Sequence, residues 1–262
     1  MINKVYIINL KHRNDRMKCM DNILKNIGGK FSEYERIEAV NGKLIGEDEK
    51  NNLLSLKSRR LYKNPSSFKD IRTLGAIGCY KSHIGVWELA LSRGEKEIII
   101  LEDDIKLKID IDKLEEYIKT RPNDYDICYL DYYGLYGYDN NKEHCSNWNK
   151  NNGDEISFFS AYMISDRGMK KLLKNIYPIE QQIDCYADAY AIENKDFKRY
   201  LSKEIIFSQG YSPLYDTDIT RNPLRCYLND IILTKRFGKI VLRTTIILSS
   251  FLFFYKYIKI DY

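Results

Sequence analysis

The sequence predicts an α/β protein with a single Rossmann-like domain and a mixed, mainly parallel β-sheet. Strand-like and helix-like segments alternate over most of the chain, which is the order of a parallel sheet with crossover helices. Residues 98–101 are continuously apolar and branched, as expected for a strand covered on both faces. The length of 262 residues, with 44% hydrophobic and 30% charged residues, suits a globular protein with a sizeable core.

The N-terminal segment predicts two strands with a helix between them. Residues 4–10 have the pattern of a core strand, and Gly28-Gly29 ends the helix that follows. A second strand covers residues 34–40, where the turn signal Asn41-Gly42 closes it. The helix is predicted from apolar residues at helical spacing, which are Met17, Met20, Ile23, Leu24 and Ile27.

The middle of the chain predicts two more strands. After a polar helical region, residues 74–83 lead into a helix that continues to about Leu91. The acid-ended strand at 97–102 follows it. A helix near 112–119 then precedes a strand at 126–130, and Asp131 follows directly at its end.

The last predicted elements are a loop, a strand and a helix. Residues 134–154 are rich in Gly, Asn and Lys, which favours a long surface loop. Residues 157–164 are apolar and aromatic, as in a strand. Ser165 or Asp166 then caps a helix that Pro178 ends.

The net charge of +5 is unevenly distributed, which predicts a division into a domain at 1–220 and a tail at 221–262. The tail carries +6 and the remainder −1, so the charge indicates a basic tail and does not indicate a uniformly basic nucleic-acid binder. The apolar run at 246–255 is about half the length of a membrane-spanning helix. Two interpretations stay open: a basic amphipathic helix in the plane of an anionic membrane, or a helix packed on the domain.

Cysteine usage and the N-terminus together predict a cytoplasmic protein, peripheral to the inner face of the cytoplasmic membrane if the tail binds there. The six cysteines form no Cys-x-x-Cys pair, and most lie in apolar surroundings. The chain opens directly into a strand-like segment, without the pattern of a secretory signal. We therefore expect reduced cysteines.

Three consecutive acids, Glu102, Asp103 and Asp104, follow the buried strand at 97–102. Ligands of parallel sheets bind at the carboxyl ends of the strands, and adjacent carboxylates repel one another unless a cation or solvent relieves them. Alternation along an extended chain would direct Glu102 and Asp104 to one side and Asp103 to the other. This pattern favours a divalent metal site, while a solvated acidic loop is the simpler alternative.

Four segments in this order resemble glycosyltransferase family 25. They are residues 5–16 (VYIINLKHRNDR), 75–83 (GAIGCYKSH), 100–104 (ILEDD) and 161–165 (AYMIS), followed by Ile183-Asp184. The family includes lipooligosaccharide galactosyltransferases of Gram-negative bacteria and collagen galactosyltransferases. The resemblance extends over roughly residues 3–220 and does not include the tail.

The resemblance implies a GT-A-type fold, a UDP-sugar donor, a divalent metal (Mn²⁺ or Mg²⁺) and inversion at the sugar carbon. The Glu-Asp-Asp segment stands where related folds carry an Asp-x-Asp signature. Asp104 is therefore assigned to the metal with Glu102 beside it, and Asp103 to the metal or the donor ribose. The metal would neutralise the charge that develops on the departing diphosphate.

The donor is expected to lie beside the first strand and the 75–83 segment. The expected contacts after the strand come from Asn9, Leu10, Arg13 and Arg16, although the two arginines alone suit a solvated helix start. Gly78, with Gly75, would permit close backbone approach to the donor. Ser82 and His83 would lie at a helix start whose amides attract anions. A half-buried structural histidine is the alternative for His83, and Cys79 is expected to serve only in packing.

Inversion requires a base that takes the proton of the acceptor hydroxyl. Asp184 is the first candidate and Asp131 the second, and a helix N-cap is the structural alternative for Asp184. Tyr162 and Asp188 are expected on the acceptor side. Gln209 and residues 217–219 resemble a closing segment that would form a lid over the donor.

The predicted function is the inverting, metal-dependent transfer of a sugar onto a lipooligosaccharide-type glycan or glycolipid. The first candidate for the sugar is galactose, supplied by UDP-galactose. A collagen-type protein glycosyltransferase is the second hypothesis. An inactive, membrane-bound scaffold of the same fold is the third.

Overall fold

The structure, a computed structural model, describes residues 2–134, 147–151 and 155–209. Its centre is a seven-stranded sheet, which consists of β1 (Lys4–Asn9), β2 (Glu35–Glu38), β3 (Glu97–Glu102), β5 (Ile127–Tyr129), β7 (Trp148–Asn151), β9 (Ala161–Ser165) and β10 (Arg199–Ser202). The order of these strands in the sheet is β2-β1-β3-β9-β5-β10-β7. Two small ribbons pair β4 (Ile105–Leu107) with β11 (Phe207–Gln209) and β6 (Tyr133–Gly134) with β8 (Ile156–Ser157).

Five of the seven strands point in one direction. β1 is parallel to β2 and β3, and β5 is parallel to β10. β9 lies antiparallel between β3 and β5, and β7 is antiparallel at the edge. The predicted α/β class with a mixed, mainly parallel sheet is confirmed. The carboxyl ends of β1, β3 and β5 consequently open at one edge, together with the amino end of β9.

Helices cover both faces of the sheet. The helices are α1 (Asn14–Ile27), α2 (Gly29–Ser32), α3 (Glu47–Leu53), α4 (Leu56–Lys63), α5 (Leu74–Ser92), α6 (Ile111–Lys119), α7 (Asp166–Leu173) and α8 (Ile183–Glu193), with a 3-10 turn at Gly42–Leu44. Side chains alternate along each strand, so Tyr6 and Ile100 pack with α5, α7 and α8, while Ile7 and Leu101 pack with α1 and α6. This two-sided burial explains the continuous apolar sequence of β3.

Helix α5 begins earlier than the sequence predicts. It starts at Leu74, and Thr73 caps it because the Thr73 hydroxyl oxygen accepts a hydrogen bond from Ala76 N at 3.1 Å. Ser82 and His83 therefore lie in the middle of the helix, and the prediction that they begin a helix is wrong. Their backbone amides are used within the helix and offer no anion site.

The segment at 147–165 also differs from its prediction. Residues 148–151 form β7 instead of continuing the predicted loop, and the Trp148 indole is buried with its Nε1 donating to Tyr117 O at 3.1 Å. The strand expected at 157–164 is divided into β8 and β9. Phe158, between them, has a φ of 79°, which an L-residue with a bulky side chain rarely adopts. The cap of α7 is Ser165, whose hydroxyl accepts from Gly168 N.

Three predictions fall outside the described residues: the boundary at 220, the tail at 221–262 and the lid at 217–219. Gln209 is described and is exposed at the end of β11. Among the helices of the described ranges, none is long and apolar enough to cross a membrane.

Candidate active site

Two predicted metal ligands and one candidate base lie together at the carboxyl edge of the sheet. Glu102 ends β3 and Asp131 follows β5 by two residues. Ser160, the residue just before the neighbouring strand β9, links them, because Glu102 N donates to Ser160 O at 2.7 Å and the Ser160 hydroxyl donates to Asp131 Oδ2. We call Glu102, Asp104 and Asp131 the acidic edge.

Asp103 is buried and both of its carboxylate oxygens are bound by protein donors. Asn9 Nδ2 donates to Oδ2 at 2.5 Å, and Arg16 Nη1 donates to Oδ1 at 2.8 Å. Burial raises the pKa of Asp103, while Arg16 and Asn9 partly lower it. Asp103 therefore joins β1 and α1 to the turn after β3, and each of its oxygens already accepts a hydrogen bond from a protein donor.

The turn after β3 also corrects the expected alternation of the three acids. The strand ends at Glu102, so Asp103 and Asp104 do not follow an extended backbone. A single atom, Arg16 Nη1, reaches Asp103 at 2.8 Å and Asp104 Oδ2 at 3.4 Å. The two aspartates thus share one guanidinium instead of pointing to opposite sides. Arg16 is itself buried in this pair, where it fixes the turn.

Asp104 keeps one of its two carboxylate oxygens unsatisfied within the described ranges. Its Oδ1 atom is buried and has no hydrogen-bond partner among the described residues. Burial and the charge of Glu102 raise the pKa of Asp104 to about 7, although Arg16 opposes them. A carboxylate oxygen without a donor, beside a second carboxylate, has the hard oxygen chemistry that Mg²⁺ and Mn²⁺ prefer. The residues present therefore fit the divalent ion that the sequence predicts.

Glu102 is held from the side of helix α5. Its Oε1 lies 3.3 Å from His83 Nε2 and 3.8 Å from Cys79 Sγ. Burial, followed by the charges of Glu102 and Asp184, raises the pKa of the Cys79 thiol well above its usual range. Ligand atoms of Cys79, His83 and Glu102 lie within 4.8 Å of one another, a group that could itself hold a metal ion.

His83 and Tyr162 are enclosed in the core behind Glu102. Both side chains are fully buried, and the Tyr162 hydroxyl lies 2.9 Å from His83 Nδ1 and 3.0 Å from Trp87 Nε1. Phe159 stacks on the Tyr162 ring with the centroids 4.1 Å apart. His83 thus has no route to direct donor contact, and Tyr162 does not line an acceptor surface. The structural alternative for the histidine describes its environment better.

Asp131 is buried at the acidic edge. Burial raises its pKa to about 6, with a further increase from the charge of Glu102, whereas the Ser160 hydrogen bond lowers it. An acid with this pKa is ionised at pH 7 and still close enough to neutrality to accept a proton.

Asp184 lies in the first turn of α8, and the cap position belongs to Gln182. The alternative that Asp184 is the N-cap is therefore wrong, because the N-cap lies two residues earlier. The half-buried carboxylate accepts hydrogen bonds from Cys185 N at 2.8 Å and from Phe158 N at 3.3 Å. Asp184 thereby holds the unusual backbone conformation of Phe158, which lies between β8 and Ser160.

Asp188 does not share the environment of Asp184. Its carboxylate is buried, pairs with the buried Arg199 and accepts from Ile156 N at 3.2 Å. This pair connects α8 to β10 and β8. The structure therefore gives Asp188 a packing role in place of the expected contact with an acceptor.

Of the remaining predicted donor contacts, only Asn9 offers a buried acceptor without a partner. Asn9 Nδ2 is used by Asp103 and by Arg13 O, but its Oδ1 has no hydrogen-bond partner among the described residues. The guanidinium of Arg13 forms two hydrogen bonds with Asp15, at 3.1 and 3.0 Å. Leu10 contributes its carbonyl, which accepts from Arg13 N at 2.9 Å.

Gly78 and Ser82 are occupied by contacts within the protein. A Cβ atom at Gly78 would lie 2.5 Å from Val40 O, so the missing side chain lets α5 approach the loop after β2 instead of a ligand. Ser82 Oγ donates to Gly78 O at 2.7 Å and accepts from Val40 N at 2.8 Å. Both residues fix the loop that leads to Gly42.

Sequence reasoning missed Ser160 and Phe158, and it assigned Cys79 to packing alone. No local motif marks Ser160, because its contacts come from strands distant in the sequence. The four-residue spacing of Cys79 and His83 was a usable signal, since residues at i and i+4 share a helix face.

Residues 2–187 match the family model described as glycosyltransferase family 25 (LPS biosynthesis protein). Procollagen galactosyltransferase 1-A of Xenopus laevis is 27% identical over 229 residues, which are 83% of this chain and 36% of that protein. A glycosyltransferase 25 family member of Drosophila melanogaster is 34% identical over 109 residues, which are 41% of this chain and 17% of that protein.

Among solved structures, mouse xyloside xylosyltransferase 1 is similar at 10% identity and a TM-score of 0.37, with 75% of this chain and 84% of that chain covered. This chain spans little more than a third of the curated relative from Xenopus laevis. The family model nevertheless covers well over half of the chain, and the chain belongs to glycosyltransferase family 25.

Proposed function

We propose that this protein transfers a sugar from a UDP-sugar, in the first place UDP-galactose, to a hydroxyl of a glycan acceptor with inversion at the sugar carbon. The observation that carries the proposal is the buried, unpartnered Oδ1 of Asp104 beside Glu102. This pair lies at the carboxyl edge of the sheet, where ligands of α/β proteins bind. Membership of the family supplies the reaction class.

Glu102 and Asp104 would hold a divalent cation, Mn²⁺ or Mg²⁺. When bound, the ion would neutralise the negative charge that develops on the departing diphosphate. Arg16 contributes indirectly, because its contacts with Asp103 and Asp104 fix the turn that carries the ligands. Asn9 Oδ1 would accept a hydrogen bond from a hydroxyl of the donor.

Asp184 is the proposed general base, and Asp131 is the second candidate. Asp184 is half-buried, and the backbone N–H of Phe158 fixes one of its oxygens. The base would take the proton of the acceptor hydroxyl as the hydroxyl oxygen bonds to the sugar carbon and UDP leaves from the opposite face. Asp131 is supported by its pKa of about 6. The variants Asp184→Asn and Asp131→Asn distinguish the two, because loss of the base reduces kcat for every acceptor.

The proposed acceptor is a lipooligosaccharide-type glycan or glycolipid. The family description includes lipopolysaccharide biosynthesis, and the basic tail would suit an acceptor at an anionic membrane surface. A collagen-type acceptor is the second candidate, because the related Xenopus and human proteins are procollagen galactosyltransferases. Transfer to a truncated lipooligosaccharide and to a hydroxylysine peptide, measured side by side, separates the two.

The test of the proposed function is sugar transfer by the full chain with four UDP-sugars, each with Mn²⁺, Mg²⁺ or EDTA. We expect turnover with UDP-galactose and a divalent ion, and none with EDTA. Asp104→Ala should be inactive, while Asp196→Ala, which removes an exposed carboxylate paired with Lys171, is the matched control and should retain full activity. Absence of turnover and of Mn²⁺ binding in the wild type would overturn the proposal in favour of an inactive scaffold.

A further inference from the structure

Four side chains form a continuous hydrogen-bond network behind the acidic edge. Trp87 Nε1 lies 3.0 Å from the Tyr162 hydroxyl, which lies 2.9 Å from His83 Nδ1. His83 Nε2 lies 3.3 Å from Glu102 Oε1. We call these four residues the tryptophan–glutamate network. Three of its members are fully buried, and only Glu102 reaches the open edge of the sheet.

The network follows from the spacing of the chain. Cys79, His83 and Trp87 are four residues apart on α5, so they share one face of the helix. Tyr162 on β9 is opposite Ile100, and Ile100 is two residues before Glu102 on β3. Residues two apart on a strand project from the same face of the sheet. The helix face and the sheet face therefore meet at His83.

The chemistry of the end groups determines the direction of every hydrogen bond. The Trp87 indole N–H can only donate, so the Tyr162 oxygen accepts there. The buried Tyr162 hydroxyl proton has one remaining acceptor within the network, His83 Nδ1. His83 Nε2 then carries the ring proton and donates it to Glu102 Oε1, a carboxylate oxygen that can only accept when ionised.

The opposite arrangement leaves two groups unsatisfied. With the proton on Nδ1, the Tyr162 oxygen would accept from both Trp87 and His83, and its own buried proton would have no acceptor. The lone pair of Nε2 would also face the carboxylate of Glu102 at 3.3 Å. An unsatisfied buried donor alone costs about 1–3 kcal/mol.

From this geometry we propose that His83 is a positioning residue for Glu102, held by Trp87 and Tyr162 as the neutral tautomer with its proton on Nε2. His83 Nε2 and Cys79 Sγ both contact Oε1, and no donor of the described residues reaches Oε2. This leaves Oε2 as the oxygen that Glu102 presents to a cation. The metal-positioning role depends on the proposed function, whereas the tautomer does not.

A soft-metal centre on the same side chains is the competing arrangement. Cys79, His83 and Glu102 offer three ligand atoms within 4.8 Å of one another, which Zn²⁺ could bind. A metal on His83 Nε2 would move the ring proton to Nδ1 and leave the buried Tyr162 proton without an acceptor in the network. The contacts of Tyr162 therefore favour the metal-free histidine.

The tautomer can be measured directly by NMR of the full chain with ¹⁵N-labelled histidine. The sequence contains only three histidines, and the signals missing from His83→Gln identify those of His83. We expect a protonated Nε2 and an unprotonated Nδ1, both unchanged when Zn²⁺ is added. A protonated Nδ1, in a neutral or a charged ring, or displacement of the Nε2 signal by one equivalent of Zn²⁺, would overturn the proposal.

The positioning role is tested with Tyr162→Phe, which removes only the hydroxyl that orients His83. Loss of an outer contact of this kind commonly lowers metal affinity by about 10-fold or more, so we expect the Mn²⁺ Kd to rise by about 10-fold. The KM for acceptor should not change. His83→Gln, whose amide can still donate to Glu102, should lose less affinity than His83→Leu.

Tyr129→Phe provides the matched control. Tyr129 is buried in the same apolar cluster, but its hydroxyl has no hydrogen-bond partner among the described residues. We expect wild-type Mn²⁺ affinity for this variant. Equal Mn²⁺ affinity in Tyr162→Phe and wild type would overturn the positioning role. Wild-type protein that binds Mn²⁺ without transferring any sugar would instead contradict the proposed function.

Discussion

The two ends of strand β5 carry buried aspartates in opposite electrostatic situations. Asp126, just before the strand, is fully buried and accepts hydrogen bonds from Arg167 Nε at 2.5 Å, Lys171 Nζ at 3.0 Å and Lys198 N at 2.7 Å. Asp131, just after the strand, is buried with a hydroxyl as its side-chain donor, and its pKa is raised to about 6.

The difference shows which end of the sheet is built for stability. At the amino end, two cations neutralise Asp126 and connect β5 to α7. At the carboxyl end, burial and the charge of Glu102 raise the pKa of both Asp104 and Asp131, and Arg16 is bound mainly to Asp103. Uncompensated acids destabilise a folded protein, and perturbed pKa values cluster where ligands bind. A cation at the carboxyl end would remove this imbalance.

The largest expected effect is on transfer activity at the carboxyl end. Asp104→Ala removes a proposed metal ligand, and we expect kcat/KM to fall by at least about 100-fold, because metal stabilisation of the leaving diphosphate contributes several kcal/mol. Thermal unfolding should stay within a few degrees of wild type. Wild-type kinetics in this variant at saturating Mn²⁺ would show that Asp104 is not a ligand of the metal.

At the amino end, the expected effect is on stability alone. Asp126→Ala leaves Arg167 and Lys171 without their buried partner and should destabilise the fold by about 3 kcal/mol, the lower range for breaking a buried ion pair, because Arg167 is half-exposed. Urea unfolding measures this change. Per folded molecule, kcat should be unchanged, and a selective loss of kcat would contradict the contrast between the two ends.

The pH dependence of stability should reveal the acids at the carboxyl end. The pKa of Asp131 is about 6 in the folded protein and near its ordinary value when unfolded, so the unfolded state binds fewer protons between them. The free energy of unfolding should therefore decrease as pH rises from about 4 to about 6, by at most about 3 kcal/mol from this residue.

Asp131→Asn removes that loss, so its unfolding should require more urea than wild type at pH 7.5. The advantage should shrink towards pH 4, where the wild-type acid is protonated. Asp196→Asn, which changes an exposed carboxylate, serves as the control and should show no such gain in stability at pH 7.5. An Asp131→Asn protein that is less stable than wild type at pH 7.5 would show that the ionised carboxylate stabilises the fold.

The smallest expected effect concerns Phe158, whose φ of 79° is strained for a side chain but not for glycine. Phe158 is 39% exposed, so Phe158→Gly and Phe158→Ala both lose the buried part of the ring. Only glycine relieves the left-handed conformation, and we expect Phe158→Gly to be more stable than Phe158→Ala by about 1 kcal/mol. Calorimetry would measure the difference, and equal stability of the two variants would show that the conformation stores no strain.

The sequence predicted the fold class because apolar periodicity determines which faces are buried. Strands β1 and β3 were located almost to the residue by their continuous apolar runs. The start of α5 was missed because Gly75 and Gly78 weaken the local helical signal. Gly78 is instead required by the close approach of Val40, a contact between elements that no local pattern encodes.

The acidic edge was found because carboxylates at strand ends are a local feature. The partners of the candidate residues were not predictable, since they lie far away in the sequence. Arg16 is 87 residues from Asp103, and His83 is 79 residues from Tyr162. Because of these distant contacts, several residues that were expected to bind ligands instead stabilise the turn after β3 or the position of Glu102.

The most direct measurement is the melting temperature of wild type and Asp104→Asn, with EDTA and then with Mn²⁺ and UDP. Without metal, Asp104→Asn should melt at a higher temperature at pH 8, because it removes a buried carboxylate whose pKa is raised to about 7. Mn²⁺ with UDP should stabilise wild type and leave the variant unchanged. Equal stabilisation of both proteins by Mn²⁺ would contradict a cation site at the acidic edge.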